Sequence, residues 1–219
     1  MTVTSGSAAR DDRPLLELLI ELMPIGIQAD LHESADRLLA VRTPKQAQRA
    51  LEDEYEHVLR RVLPLVIERP LLRNRVAASA FTASFAALAA TAEEADELLT
   101  LVSATTLTAP GTSVVFAVGL LAAVAETYAA ASVRVHQLRE QFVVVDADAL
   151  AADVRTAVFG SRKAKGAAIT KRVVDGAAAR ISTRWAIGAI PFVGIGYAAY
   201  DSARSVKRVL QLPVPVAER

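Results

Sequence analysis

Sixteen consecutive uncharged residues, Trp185 to Tyr200, form the feature that most constrains the fold of this chain. Pro191 interrupts the run, because proline lacks a backbone N–H and clashes with the preceding helical turn, and Gly194 and Gly196 follow it. A helix over the whole run would be about 24 Å long, which is short of a hydrocarbon layer of roughly 30 Å. The run therefore predicts an apolar helix-break-helix hairpin that enters a membrane or a bundle core without crossing it.

The composition predicts an all-α fold. Hydrophobic residues make up 53% of the 219 residues and aromatic residues only 5%, so the apolar side chains are mainly alanine, valine and leucine. Alanine has the highest helix propensity, and the alternating pattern of strands is nearly absent. We expect a multi-helix bundle that carries the C-terminal apolar hairpin. Without cysteine, the chain has no disulfide, thiolate metal site or cysteine nucleophile.

Shifts in composition divide the chain into four segments. Residues 1–12 are predicted to be a disordered tail and residues 13–159 an acidic helical bundle. Residues 160–212 are predicted to form a basic helix plus the apolar hairpin, packing on the bundle, and residues 213–219 a second tail. Glu17 and Glu21 interrupt the first apolar run, so it is not typical of a signal peptide, and general secretion is not expected.

Prolines and capping residues set the predicted helix boundaries. A helix is predicted from Pro14 that Pro24 kinks or ends and that resumes to about Thr43, and a second helix covers 44–63, where Pro64 is expected to end it. Glu56 and Arg60 are expected to pair on the outer face of the second helix. The inner stripe of that helix is predicted to be Leu51, Tyr55, Val58, Leu59 and Val62.

Two later helices are predicted from long apolar patterns. No charged residue occurs between Glu97 and Glu126, and the apolar pattern predicts a helix from 112 to about 141. Asp146 or Asp148 is expected to cap a further helix that covers 150–159. The longest apolar runs are cut by proline, glycine or glutamate, which favours a bundle core over a simple membrane span.

Charge is divided unevenly along the chain. Residues 1–159 carry 14 basic and 21 acidic side chains, whereas residues 160–219 carry 11 basic and 3 acidic ones. Such asymmetry indicates that the basic end meets phosphate or docks on the acidic half of its own chain. Anionic lipid is the favoured partner and nucleic acid is not expected, because no aromatic residue interleaves the basic segment. The basic contact residues are predicted to be Arg162, Lys163, Lys165, Lys171 and Arg172.

Motifs that carry chemistry are scarce. The sequence has no G-x-S-x-G elbow, Walker lysine loop, dinucleotide-binding glycine fingerprint or H-E-x-x-H pair. Glu54 and His57 form one Glu-x-x-His pair of the kind used in di-iron bundles, but the required second copy is missing. We therefore predict no catalytic, metal or cofactor residues, and a protein that is more readily non-enzymatic than an enzyme.

Glu126 is the most informative single residue of the apolar helix. A carboxylate in such surroundings is costly unless it is paired, protonated or at an interface. One interpretation is a buried ion pair with Arg180 or Arg184, which would join the acidic and basic parts of the chain. The other is that Glu126 marks the point where the helix leaves the core.

Two stretches resemble the EcsC family of bacterial proteins. Residues 123–130 read AVAETYAA, and residues 189–204 read AIPFVGIGYAAYDSAR, with an Ile-Pro-x-Val-Gly turn. The resemblance covers about residues 105–210. The glycine expected soon after Tyr128 is alanine, and the second glycine-rich turn is matched only in part, by Gly194 and Gly196. It implies a helical, membrane-associated accessory protein, and it transfers no catalytic residue.

These observations predict a membrane-associated accessory or scaffolding protein, cytoplasmic and peripheral at the inner face of the cell membrane. Two alternatives remain: a pore-forming or toxin-like module that inserts its apolar helices, and a soluble module for self-association. The partner is predicted to be an anionic membrane or another protein, including a second copy of the chain. Beside the basic residues, the predicted contact residues are Trp185, Pro191, Phe192, Gly194 and Gly196.

Overall fold

The structure is a computed structural model that describes residues 13–41, 44–91, 112–160 and 203–214. These residues form an all-α bundle without strands, which confirms the predicted fold class. The helices are α1 (Arg13–Glu21), α2 (Ile25–Leu39), α3 (Pro44–Glu68), α4 (Arg75–Thr91), α5 (Thr112–Glu140), α6 (Ala147–Phe159) and α7 (203–210).

Helix α5 is the centre of the bundle, and α1, α2, α3, α4 and α6 all pack against it. Residues 127–135 of α5 are buried without exception, because alanine and other small side chains let helices approach from every side. The stretch Phe116–Glu140 is long and apolar enough to cross a membrane, and no other described helix is. Since 89% of its most apolar part is buried within the protein, α5 has the surroundings of a core helix.

Pro24 separates the first two helices, which is one of the two outcomes that the sequence predicts there. Residue Pro24 is extended, with φ −54° and ψ 135°, and separates α1 from α2. The apolar residues of α1 face the core together with those of α2, which ends at Leu39 and not near Thr43. Their buried members are Leu16, Leu19, Ile20, Met23, Ile27, Leu31 and Leu38.

Helix α3 is longer than predicted. It continues through Pro64 to Glu68, so the expectation that Pro64 ends it is wrong. Pro64 lies on the exposed side of α3, where water can satisfy the carbonyl that the proline leaves unpaired, and Val66 returns to the core. The predicted inner stripe is confirmed, since all five of its residues are buried.

Helix α6 is capped at both ends, by a side chain at its N-terminus and by a backbone N–H at its C-terminus. Asp146 accepts a hydrogen bond from the backbone N–H of Ala149 at 2.7 Å, which confirms one of the two predicted caps. At the other end Gly160 adopts a left-handed conformation with φ 71°, and its N–H donates to the carbonyl of Thr156.

Three connections between helices lie at the same end of the bundle, which we call the connector end: residues 22–24, 69–74 and 141–146. His136 Nε2 lies 3.2 Å from the carbonyl oxygen of Pro70, so the end of α5 meets the α3–α4 connection. The α1–α2 turn is also close, because a Cβ added to Gly26 would lie 3.0 Å from the side chain of Leu65. The connector end is therefore a single surface.

Candidate functional site

Arg134 is the largest fully buried side chain of the described residues, with 0% of its surface exposed. Its Nε donates to Asp153 Oδ2 on α6 at 2.9 Å, and its NH1 donates to Gln137 Oε1 at 2.7 Å. The guanidinium also donates to two backbone carbonyls, those of Leu212 at 3.1 Å and Pro213 at 2.8 Å. A buried arginine is tolerated because each of its nitrogens has an acceptor.

The C-terminal segment 203–214 is fastened to α5 by these bonds. Gln137 Nε2 donates to the carbonyl of Leu210 at 3.1 Å, one turn of α5 from Arg134. Val206 and Val209 are buried in the core. We call Arg134 and Gln137 the C-terminal clamp, because they fix backbone that lies more than 70 residues later in the sequence.

Glu126 belongs to the same contact between α5 and the C-terminal segment. Its Oε2 accepts a hydrogen bond from Ser205 Oγ at 2.8 Å, and only 7% of the residue is exposed. The interpretation that α5 leaves the core at Glu126 is wrong, since α5 remains buried for nine further residues. The two arginines of the alternative interpretation, Arg180 and Arg184, lie outside the described residues.

A second polar cluster joins α2 to α3. Arg37 donates to Glu54 through two nitrogens, at 2.6 Å and 2.7 Å, and Ser34 Oγ donates to the same carboxylate at 2.7 Å. Burial alone would raise the pKa of Glu54, but the hydrogen bonds from Arg37 and Ser34 outweigh it and hold that pKa below its ordinary value. The hydrogen bonds to Glu54 likewise raise the pKa of Arg37.

Glu54 and His57 face different partners in the structure. Both oxygens of Glu54 already accept hydrogen bonds, whereas His57 Nε2 points to Asp30 Oδ1 at 3.8 Å. Among the described residues, no group of three histidine or carboxylate side chains converges as metal ligands do. The cluster is better explained as an ionic contact between two helices.

Contacts between α3, α5 and α6 complete the polar interior. Arg155 Nε on α6 donates to Glu56 Oε1 at 2.9 Å. The prediction that Glu56 pairs with Arg60 is therefore wrong. The hydroxyl groups of Tyr55 and Thr127 share a buried hydrogen bond of 2.7 Å. Burial raises the pKa of Tyr55, whose ring also meets Phe159 edge-on at 5.0 Å.

Among the described residues, the connector end carries most of the large apolar side chains that are exposed to solvent. Phe142 is 93% exposed and Val144 is 91% exposed. Leu71 and Val76 are exposed on the α3–α4 side, and Ile25 on the α1–α2 side. Large exposed apolar side chains gathered at one end of a protein are typical of an interaction surface.

Phe142 has an unusual backbone as well as an exposed ring. Its φ is 57°, and the N–H groups of Phe142 and Val143 donate to the carbonyls of Arg139 and Leu138. This is the Schellman arrangement that ends a helix, with phenylalanine at the position that favours glycine. The left-handed conformation costs about 1–2 kcal/mol for a residue with a Cβ. Neither helix capping nor core packing explains a phenylalanine here.

The structure does not test the predicted membrane-contact residues. Arg162, Lys163, Lys165, Lys171, Arg172, Trp185, Pro191, Phe192, Gly194 and Gly196 all lie outside the described residues. Sequence reasoning missed the C-terminal clamp and the connector end. The available signals were a lone arginine in an apolar helix, at position 134, and four successive apolar residues, 142–145, in a connection between helices.

Comparison with known proteins does not place the chain in a family. No protein-family model matches the sequence, and no match was found among curated proteins or solved structures.

Proposed function

We propose that this protein is a non-enzymatic accessory or scaffolding protein that binds the anionic inner face of the cell membrane. The basic segment 162–184 would contact lipid phosphates, and the apolar stretch Trp185–Tyr200 would enter the layer below them. Each Lys or Arg near such a surface contributes about 1 kcal/mol to binding. The resemblance of residues 105–210 to the EcsC family supports the same assignment.

The observation that carries this proposal is that three carboxylates between helices are paired with arginines of the bundle itself. Three arginines from residues 13–159, namely Arg37, Arg134 and Arg155, bind Glu54, Asp153 and Glu56 between helices. These contacts therefore need no cation from the basic segment. Docking of the basic segment on these three acidic groups is not required, and an anion outside the chain is the partner that we propose.

The alternative of a toxin-like module that inserts its apolar helices is less well supported. Helix α5 would have to carry Glu126 and Arg134 into lipid, and both have buried hydrogen-bond partners in the bundle. Moving such groups into hydrocarbon costs several kcal/mol each. Membrane contact through residues 162–200 does not require Glu126 and Arg134 to enter lipid.

The proposal is tested by flotation of the chain with lipid vesicles. We expect the native chain to float with vesicles that contain phosphatidylglycerol and to remain unbound with pure phosphatidylcholine. A variant with five basic residues changed to glutamine should bind the anionic vesicles at least about 100-fold more weakly, given about 1 kcal/mol per residue. The changed residues are Arg162, Lys163, Lys165, Lys171 and Arg172.

A matched control removes the same charge from the exposed surface of the bundle. We expect this variant to bind the anionic vesicles at least about ten-fold more tightly than the first variant, because its five cations lie outside the basic segment. Equal loss in both variants, or no loss in either, would show that the basic segment is not the lipid contact. The control changes to glutamine are at Arg49, Arg60, Arg61, Lys207 and Arg208, all exposed.

A further inference from the structure

We propose that the connector end is a self-complementary surface through which two copies of this chain pair about a twofold axis. The surface has two adjacent parts of opposite charge. We call residues 69–76 the basic connector and residues 140–148 the acidic connector. In such a pair, the basic connector of each copy contacts the acidic connector of the other.

The two connectors are held side by side within one chain. Besides the contact of His136 with the carbonyl of Pro70, Arg139 donates to the carbonyl of Ile67 at the end of α3. These bonds fix the start of one connector against the start of the other. A twofold axis that runs between them would bring each connector opposite its complement.

The charges of the connectors are opposite and equal in number. The basic connector carries Arg69, Arg73 and Arg75 and no acidic residue. The acidic connector carries three carboxylates and no basic residue: Glu140, Asp146 and Asp148. All six side chains are exposed. The flanking residues change these totals equally. Glu68, which lies 3.7 Å from Arg69, brings the basic connector to a net charge of +2. Arg139 brings the acidic connector to a net charge of −2.

Each connector also presents apolar surface for a partner to cover. Leu71 and Val76 project from the basic connector, and Phe142 and Val144 from the acidic one. Phe142 keeps a left-handed backbone where glycine would be more stable, and its ring is almost fully in solvent. Strained backbone of this kind is found where a side chain serves recognition. Apolar side chains ringed by charges are the usual composition of a protein interface.

A second copy fits this surface better than an anionic membrane does. A bilayer that attracts the basic connector would repel the acidic connector beside it, because the two lie on one surface. A second copy satisfies both at once. We expect a weak pair, with a dissociation constant in roughly the micromolar range.

Gly160, the last described residue before the basic segment, lies away from the connector end. Gly160 follows Phe159, whose ring contacts Tyr55, and Tyr55 bonds Thr127. Gly160 therefore lies near the level of Thr127 along α5. Thr127 precedes the end of α5 by 13 residues, a distance of about 20 Å along the helix. Pairing at the connector end would present two copies of the basic segment to one membrane and raise the overall affinity.

Charge reversal tests the pairing by analytical ultracentrifugation of the full chain across the micromolar range. One variant carries Arg73→Glu and Arg75→Glu, and the other carries Glu140→Lys and Asp148→Lys. Asp146 and Asn74 are retained because they cap α6 and α4. We expect each variant alone to associate at least ten-fold more weakly than the native chain. An equimolar mixture should form a heterodimer, and the chain with all four changes should form a homodimer again.

Phe142→Gly separates association from folding. Glycine relieves the left-handed backbone, so we expect the thermal midpoint to be unchanged or higher while association weakens at least ten-fold. The proposal is overturned if the native chain stays monomeric, or if charge reversal leaves its mass unchanged. It is also overturned if the mixture of reversed variants fails to pair, or if Phe142→Gly abolishes vesicle flotation and leaves self-association intact.

Discussion

Replacing Arg134 with methionine is expected to lower the free energy of unfolding by about 3 kcal/mol. The change removes the buried partner of Asp153 and leaves the carbonyls of Leu212 and Pro213 without their donor. The expected value is at the lower end of the range for broken buried ion pairs, because the Asp153 side chain is 31% exposed and water can reach it.

Arg155→Met is the matched control for the Arg134 variant. Arg155 also binds a carboxylate between helices, but both partners of that pair are partly exposed, so we expect a loss of about 1 kcal/mol or less. Urea unfolding followed by circular dichroism measures both variants. Trypsin adds a local readout, since Lys207 and Arg208 should be cut faster only when the C-terminal clamp is lost. Equal losses in the two variants would contradict the role given to Arg134.

Tyr55→Ala is expected to cost about 3–5 kcal/mol, the usual range when a large buried aromatic side chain is removed. The ring fills the space between α3, α5 and α6, where it meets Phe159 and bonds Thr127. No other described side chain joins these three helices through both a ring contact and a hydrogen bond.

A double-mutant cycle separates the hydroxyl group of Tyr55 from its ring. Tyr55→Phe alone should cost about 1–3 kcal/mol, because it leaves the Thr127 hydroxyl buried without a partner. Combining it with Thr127→Val removes both polar groups and should restore most of that loss. Thermal unfolding of the four chains measures the coupling. Strictly additive losses would mean that the two hydroxyl groups do not bond in the folded protein.

Sequence patterns fix most of the helices because the deciding interactions are local. The inner stripe of α3 follows from side chains spaced three and four apart, and Asp146 caps α6 through a bond to a residue three positions later. Pro64 is the exception, because α3 continues through it. Its effect depends on whether the freed carbonyl faces water or protein, and that is decided by how α3 packs.

The polar interior is beyond local patterns because its partners come from distant parts of the chain. Arg134 stands 78 and 79 residues before the carbonyls that it binds, and Glu56 pairs with Arg155, 99 residues later, and not with Arg60 one turn away. Local patterns do not predict the connector end either. Its two connectors become one surface only when α3 and α5 end side by side.

The central claim is that the apolar stretch near the C-terminus enters an anionic membrane, and the chain contains its own probe for this. Trp185 is its one tryptophan and stands at the start of that stretch. With phosphatidylglycerol vesicles we expect its emission to shift to shorter wavelength and to be quenched by lipids brominated on their acyl chains. Emission that stays unchanged and unquenched by brominated lipid, at concentrations where the native chain floats with the vesicles, would contradict the account.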